Sequence, residues 1–118
     1  MSSIILLSKD LFFISKVKEV AASVGRVVVV AKSIGALREA TTEGTLPGVM
    51  LMDLEKSGVP LEELAGVFSE LTLNGWRGVS FFSHVHDAVG DRAKELGLGE
   101  VMPRSRFVKV LPEVLSSL

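Results

Sequence analysis

Four short apolar runs punctuate the chain at wide intervals, and they restrict its fold more than any other feature. They are SIILLS (3–8), RVVVVA (26–31), GVMLMD (48–53) and GVSFFS (78–83), with GEVMP (99–103) as a weaker fifth. Their β-branched content and flanking Gly or Pro favour strands over pieces of buried helix. Apolar residues stand at nearly every position rather than at alternate ones. That pattern suits strands covered on both faces, as in a parallel sheet.

The segments between the runs carry helical spacing. In 10–24, Phe13, Val17, Val20 and Val24 recur every three or four residues, and Gly25 supplies a stop. Residues 33–43 place Ile34, Leu37 and Ala40 on one face before Gly44. Pro60 suits a helix start because the first helical position needs no amide hydrogen. Leu61, Leu64, Val67, Phe68 and Leu71 then form an apolar stripe. A fourth helix is expected over 87–96 and a fifth over 105–118, where Pro112 implies a kink or a late start. The order is βαβαβαβαβα. Right-handed crossovers then give an α/β fold, a five-stranded parallel sheet with helices on both faces. Function in such sheets collects at the carboxyl ends of the strands. Those ends offer Ser8, Lys9 and Asp10, then Lys32, then Asp53, then Ser83 and His84, then Arg104.

A chain of 118 residues, 47% hydrophobic, is enough for one domain over 1–118 with its own core. A net charge of -1, with no basic block, gives no general attraction to nucleic acid or to an acidic membrane surface. No cysteine is present, so disulfides and thiolate metal sites are excluded. The apolar runs are too short to span a bilayer, and no signal peptide stands out, so a cytoplasmic domain is expected.

The residues at the strand ends resemble a known family. LPGVMLMDLEKSGVP (46–60) is similar to the phosphoacceptor stretch of the receiver domains of two-component response regulators, the CheY-like superfamily. The resemblance covers essentially the whole chain and implies a flavodoxin-like (βα)5 architecture. It puts Asp53 at the phosphoacceptor position. Ser83, 30 residues further on, falls at the switch hydroxyl position. MPRS (102–105) places Arg104 where receivers carry a lysine.

The departures weigh against the usual chemistry. Receivers close their first strand with an acidic pair that binds Mg²⁺; Ser8 and Lys9 stand there instead. Asp10, one place on, is the only extra acid within reach. The aromatic switch position of the fifth strand falls on Val101. Phosphoryl transfer relies on positioning and on neutralisation of charge by metal and cation, and Mg²⁺ seeks carboxylate and water oxygens. One carboxylate, Asp53, facing two cations, Lys9 and Arg104, makes a site that repels such an ion. The expectation is a stand-alone pseudo-receiver, with no metal and no cofactor, in which Asp53 pairs with the Lys9 ammonium in the metal's place. Such a chain is no enzyme. It acts in signalling through protein–protein contacts, with a histidine kinase or another signalling protein as partner. One alternative is an active receiver phosphorylated on Asp53, with Asp10 helping to hold Mg²⁺. Another is a small-anion site between Lys9 and Arg104.

The resemblance also implies a contact face on the fourth helix, fifth strand and fifth helix, near Val85, Val101 and Phe107, and a homodimer through it. SHVH (83–86) offers two imidazoles, but zinc needs three or four ligands and no third is in sight. Trp76, in NGWRG (74–78), is expected to cover the edge of the core.

Overall fold

The computed structural model describes residues 2–42 and 44–118. The elements alternate: β1 (Ile4–Leu7), α1 (Leu11–Ser23), β2 (Val29–Ala31), α2 (Ile34–Ala40), β3 (Val49–Asp53), α3 (Leu61–Thr72), β4 (Arg77–Phe82), α4 (Asp87–Glu95), β5 (Glu100–Pro103) and α5 (Arg104–Ser116). All strand pairs are parallel, and the sheet order is β2-β1-β3-β4-β5. This is the five-stranded parallel sheet expected from the run spacing, in the flavodoxin-like architecture that the resemblance implied.

Successive side chains of a strand point to opposite faces, and the near-continuous apolarity follows from that rule. Ile4 and Leu6 of β1, with Val49 and Leu51 of β3, pack under α1 and α5 against Phe13, Val17, Phe107 and Leu111. Their neighbours Ile5, Leu7, Met50 and Met52 face the other way, against Leu37 of α2, Leu64 and Phe68 of α3, and Ala93 of α4. Every residue of β1 and β3 is buried as a result. Trp76 is buried with the second group.

Two elements depart from the sequence pattern. RVVVVA yields a strand only from Val29. Arg26 instead closes the turn after α1: its amide donates to the Ala21 carbonyl, and its guanidinium donates to the Ser2 and Leu118 carbonyls. β2 lies at the sheet edge beside a seven-residue α2, so Val27 stays 84% exposed. The fifth helix starts at Arg104 and runs through Pro112, which is exposed. Its missing amide hydrogen is accommodated without a late start.

The turn into β5 needs glycine. Gly99 has φ +74°, and a Cβ there would sit 2.3 Å from the Gly78 carbonyl oxygen of β4. Left-handed backbone is costly for other residues, and the clash with the Gly78 backbone adds to it. Gly99→Ala is expected to destabilise the fold by about 3 kcal/mol, summing those two costs, as read from urea unfolding. A loss below 0.5 kcal/mol, the ordinary range of surface substitutions, would mean that this turn relaxes freely.

Candidate functional site

The carboxyl ends of β1, β3, β4 and β5 meet on one side of the sheet, and Asp53 is at the centre with no exposed surface. A buried carboxylate is costly unless hydrogen bonds and opposite charge compensate it. Three donors reach Asp53. The Ser8 hydroxyl donates to Oδ2 at 2.8 Å, and the amides of Glu55 and Lys56 donate to Oδ1 at 3.2 and 3.0 Å. Arg104 Nη2 lies 3.8 Å from Oδ2. That separation is beyond a hydrogen bond, so Arg104 contributes charge while Ser8 and the two amides supply the directed contacts.

Ser8 is buried and links two acids, since its oxygen also accepts the Asp10 amide at 3.1 Å. Asp10 is the N-cap of α1. Its Oδ1 accepts the Phe13 amide at 3.2 Å, the arrangement that satisfies an otherwise free donor of the first turn. Its Oδ2 lies 3.3 Å from Lys56 Nζ and 3.7 Å from Arg104 Nη1. Arg104 thus spans both carboxylates. Its guanidinium carbon lies 4.7 Å from the centre of the Phe13 ring and 5.8 Å from that of Phe81, within cation–π range. Phe81 stacks on Phe107 at 4.3 Å between centroids, so the arginine's platform is continuous with the core. Arg104 Nε, buried against these rings, is the one buried side-chain nitrogen or oxygen among the described residues with no hydrogen-bond partner.

Lys9 takes no part in this cluster. It is exposed, its amide donates to the Lys56 carbonyl, and its ammonium lies against Gly58, where a Cβ would come within 2.6 Å of Nζ. The expected Lys9–Asp53 pair is therefore corrected. Successive residues leaving β1 diverge, so Ser8 turns toward Asp53 and Lys9 turns away. The anion pocket drawn between Lys9 and Arg104 fails for the same reason. Phe107, expected on a contact face, is wholly buried in the aromatic stack. Val101 is half-buried against the core under α4, and Val85 is 68% exposed.

Glu55 was not anticipated. Its carboxylate accepts the Ser83 amide with one oxygen and meets His86 Nδ1 with the other. Ser83 is half-buried, and it meets this side of the site through its backbone. Glu55 ties the β3–α3 turn to the β4–α4 loop that carries His84, Val85 and His86. Its position two residues after a strand-end aspartate was the available clue, but its side-chain direction depends on the turn.

Mg²⁺, which the receiver resemblance would bring here, does not fit this donor set. Each carboxylate commits one oxygen to backbone amides, and the remaining oxygens face Arg104 and Lys56. No cluster of three or more His, Asp or Glu residues able to hold a metal occurs among the described residues. Nor is any helix there long and apolar enough to cross a membrane.

The Asp10 carboxyl is held below its ordinary value of 3.8: burial pushes it up, but the Phe13 amide, Lys56 and Arg104 outweigh that. A depressed carboxyl stabilises the fold above its ordinary value and loses that contribution as pH falls through the folded value. Asp10→Asn keeps a good cap but no charge. Wild type should therefore lose stability relative to Asp10→Asn only as pH falls below about 3.8, the ordinary carboxyl value, and through the lower value at which the folded carboxylate protonates. Parallel unfolding curves of the two proteins through the acid range would show the ion pairs to be inert. Glu55→Ala should raise amide hydrogen exchange at Ser83 and His86 by about tenfold or more, as expected for a lost local constraint. Unchanged protection there would show that Glu55 does not hold the loop.

No protein-family model and no curated protein sequence matches the chain. Solved structures do match. The phosphorylated cyanobacterial phytochrome response regulator RcpA superposes with a TM-score of 0.71 at 19% identity, over 98% of this chain and 89% of that one. A response regulator receiver domain protein from Clostridium thermocellum gives 0.76 at 14% identity, over 99% and 93%. Full-length FixJ from B. japonicum gives 0.75 at 15% identity, over 97% of this chain and 57% of that one. Identities this low speak to architecture alone: the chain has the fold of a response-regulator receiver domain.

Proposed function

We propose that this chain is a receiver-fold signalling module that acts through protein–protein contacts, without Mg²⁺-dependent phosphorylation of Asp53. One observation carries the reading: the Asp53 carboxylate is fully buried and already accepts from Ser8 and two backbone amides, with Arg104 beside it. A nucleophilic carboxylate needs a free oxygen and a cation placed to neutralise the incoming phosphoryl group. Here Oδ1 is committed to two amides. Oδ2 would have to give up the Ser8 hydroxyl before it could attack. The contact role draws on the β4–α4 loop. Glu55 holds its base, and Val85 stands out between His84 and His86. A histidine kinase or another signalling protein is the kind of partner that the fold suggests.

The test is direct. The protein is incubated with Mg²⁺ and acetyl phosphate and its intact mass is measured. Wild type is expected to stay unmodified over a time in which an active receiver is labelled. A one-phosphate gain in mass that disappears in Asp53→Asn would overturn the proposal and restore Asp53 as an acceptor.

A further inference from the structure

Asp10 and Asp53 each direct one oxygen at the same cation. Asp10 Oδ2 lies 3.7 Å from Arg104 Nη1, and Asp53 Oδ2 lies 3.8 Å from Nη2. Lys56 Nζ approaches the same Asp10 oxygen at 3.3 Å. The four charges cancel. A hard divalent ion is commonly held by one or two carboxylates with water completing its shell, so two converging acids are not in themselves too few. What opposes a metal here is that two cations already occupy the ground between them.

We infer that Arg104 and Lys56 are resident cations of a latent divalent-cation site between Asp10 and Asp53, and that their charge keeps metal out. The inference rests on the functional reading above and names the residues responsible for it. Arg104 suits the role by shape. A planar guanidinium offers two nitrogens side by side to two carboxylates, which an ammonium cannot do. The Phe13 ring, 4.7 Å from the guanidinium carbon, holds that plane in place. Lys56 completes neutralisation from the surface, where its side chain is 58% exposed. Ser8 contributes by being uncharged: a third carboxylate at its position would upset the balance.

The experiment uses Mn²⁺ as a paramagnetic probe of amide signals in ¹⁵N-labelled protein, with matched ionic strength. Wild type should show no selective broadening at Asp10, Asp53 or Glu55. Arg104→Met with Lys56→Ala keeps an unbranched apolar stem over Phe13 and removes both charges. That variant should broaden selectively at those residues, bind Mn²⁺ at least tenfold more tightly than wild type, and gain melting temperature with added Mg²⁺. Adding Asp10→Asn should abolish these effects. Lys56→Ala alone changes an exposed side chain and carries little folding risk. It should show weaker broadening at the same residues, and it decides the matter if the double variant does not fold. Selective broadening in wild type would overturn the inference, as would its absence from the folded double variant or, failing that, from Lys56→Ala. Phosphate labelling of wild type tells against the functional reading separately, because the Mn²⁺ experiment involves no phosphodonor.

Discussion

A carboxylate with no exposed surface sits at the end of the central strand, and the arrangement around it follows from the need to compensate it. Asp53 ends β3, the middle strand of the sheet, where helices cover both faces and water cannot reach. Its compensation comes from three sources at short range: a hydroxyl from β1's end, two amides from its own turn, and a guanidinium from β5's end. Each source constrains a different segment. The turn after β3 must fold back to present the Glu55 and Lys56 amides, β1 must stop at Ser8, and α5 must begin at Arg104. That turn also aims the Glu55 side chain at the β4–α4 loop. Burial of one charge thus organises four strand ends.

The architecture was readable because it depends on patterns that repeat over many residues. Apolar runs without alternation imply two covered faces, and the core divides along β1 and β3 as period two demands. Leu64, Val67, Phe68 and Leu71 of the α3 stripe went into the core as expected, and Trp76, expected at its edge, is buried with them. Errors fell where one residue, not a pattern, decides. The valines at 27 and 28 have strand propensity, yet the edge strand β2 begins only at Val29, after Arg26, whose guanidinium donates to the Ser2 and Leu118 carbonyls. Phe107 follows two cations in sequence, which looks like a surface; its side chain instead turns inward onto Phe81.

At the site, position along the chain was informative and direction was not. Asp53, Ser8, Asp10 and Arg104 do converge, because strand ends must. Which of Ser8 and Lys9 faces the acid follows from period two only once the register of β1 on β3 is known: Ile4 and Leu6 share a face with Val49 and Leu51, and Ser8 and Asp53 continue it. Lys56 and Glu55 lie in a turn whose shape is itself dictated by the Asp53 hydrogen bonds. They could be placed only once that carboxylate was known to accept from its own following amides.

The residues at these strand ends form a coupled set. A lysine at position 104 would present a single point charge. It could satisfy one acid fully but could not span both. An arginine satisfies two acids at moderate distance and needs an aromatic wall, and Phe13 and Phe81 provide one. Once the guanidinium spans Asp10 and Asp53, a third acid at position 8 is unnecessary. A small hydroxyl that both donates to Asp53 and accepts from Asp10 fits better there. Ser8, Asp10 and Arg104 are therefore best understood together: each makes sense of the other two, and changing one alone leaves either a buried charge or a buried donor without its partner.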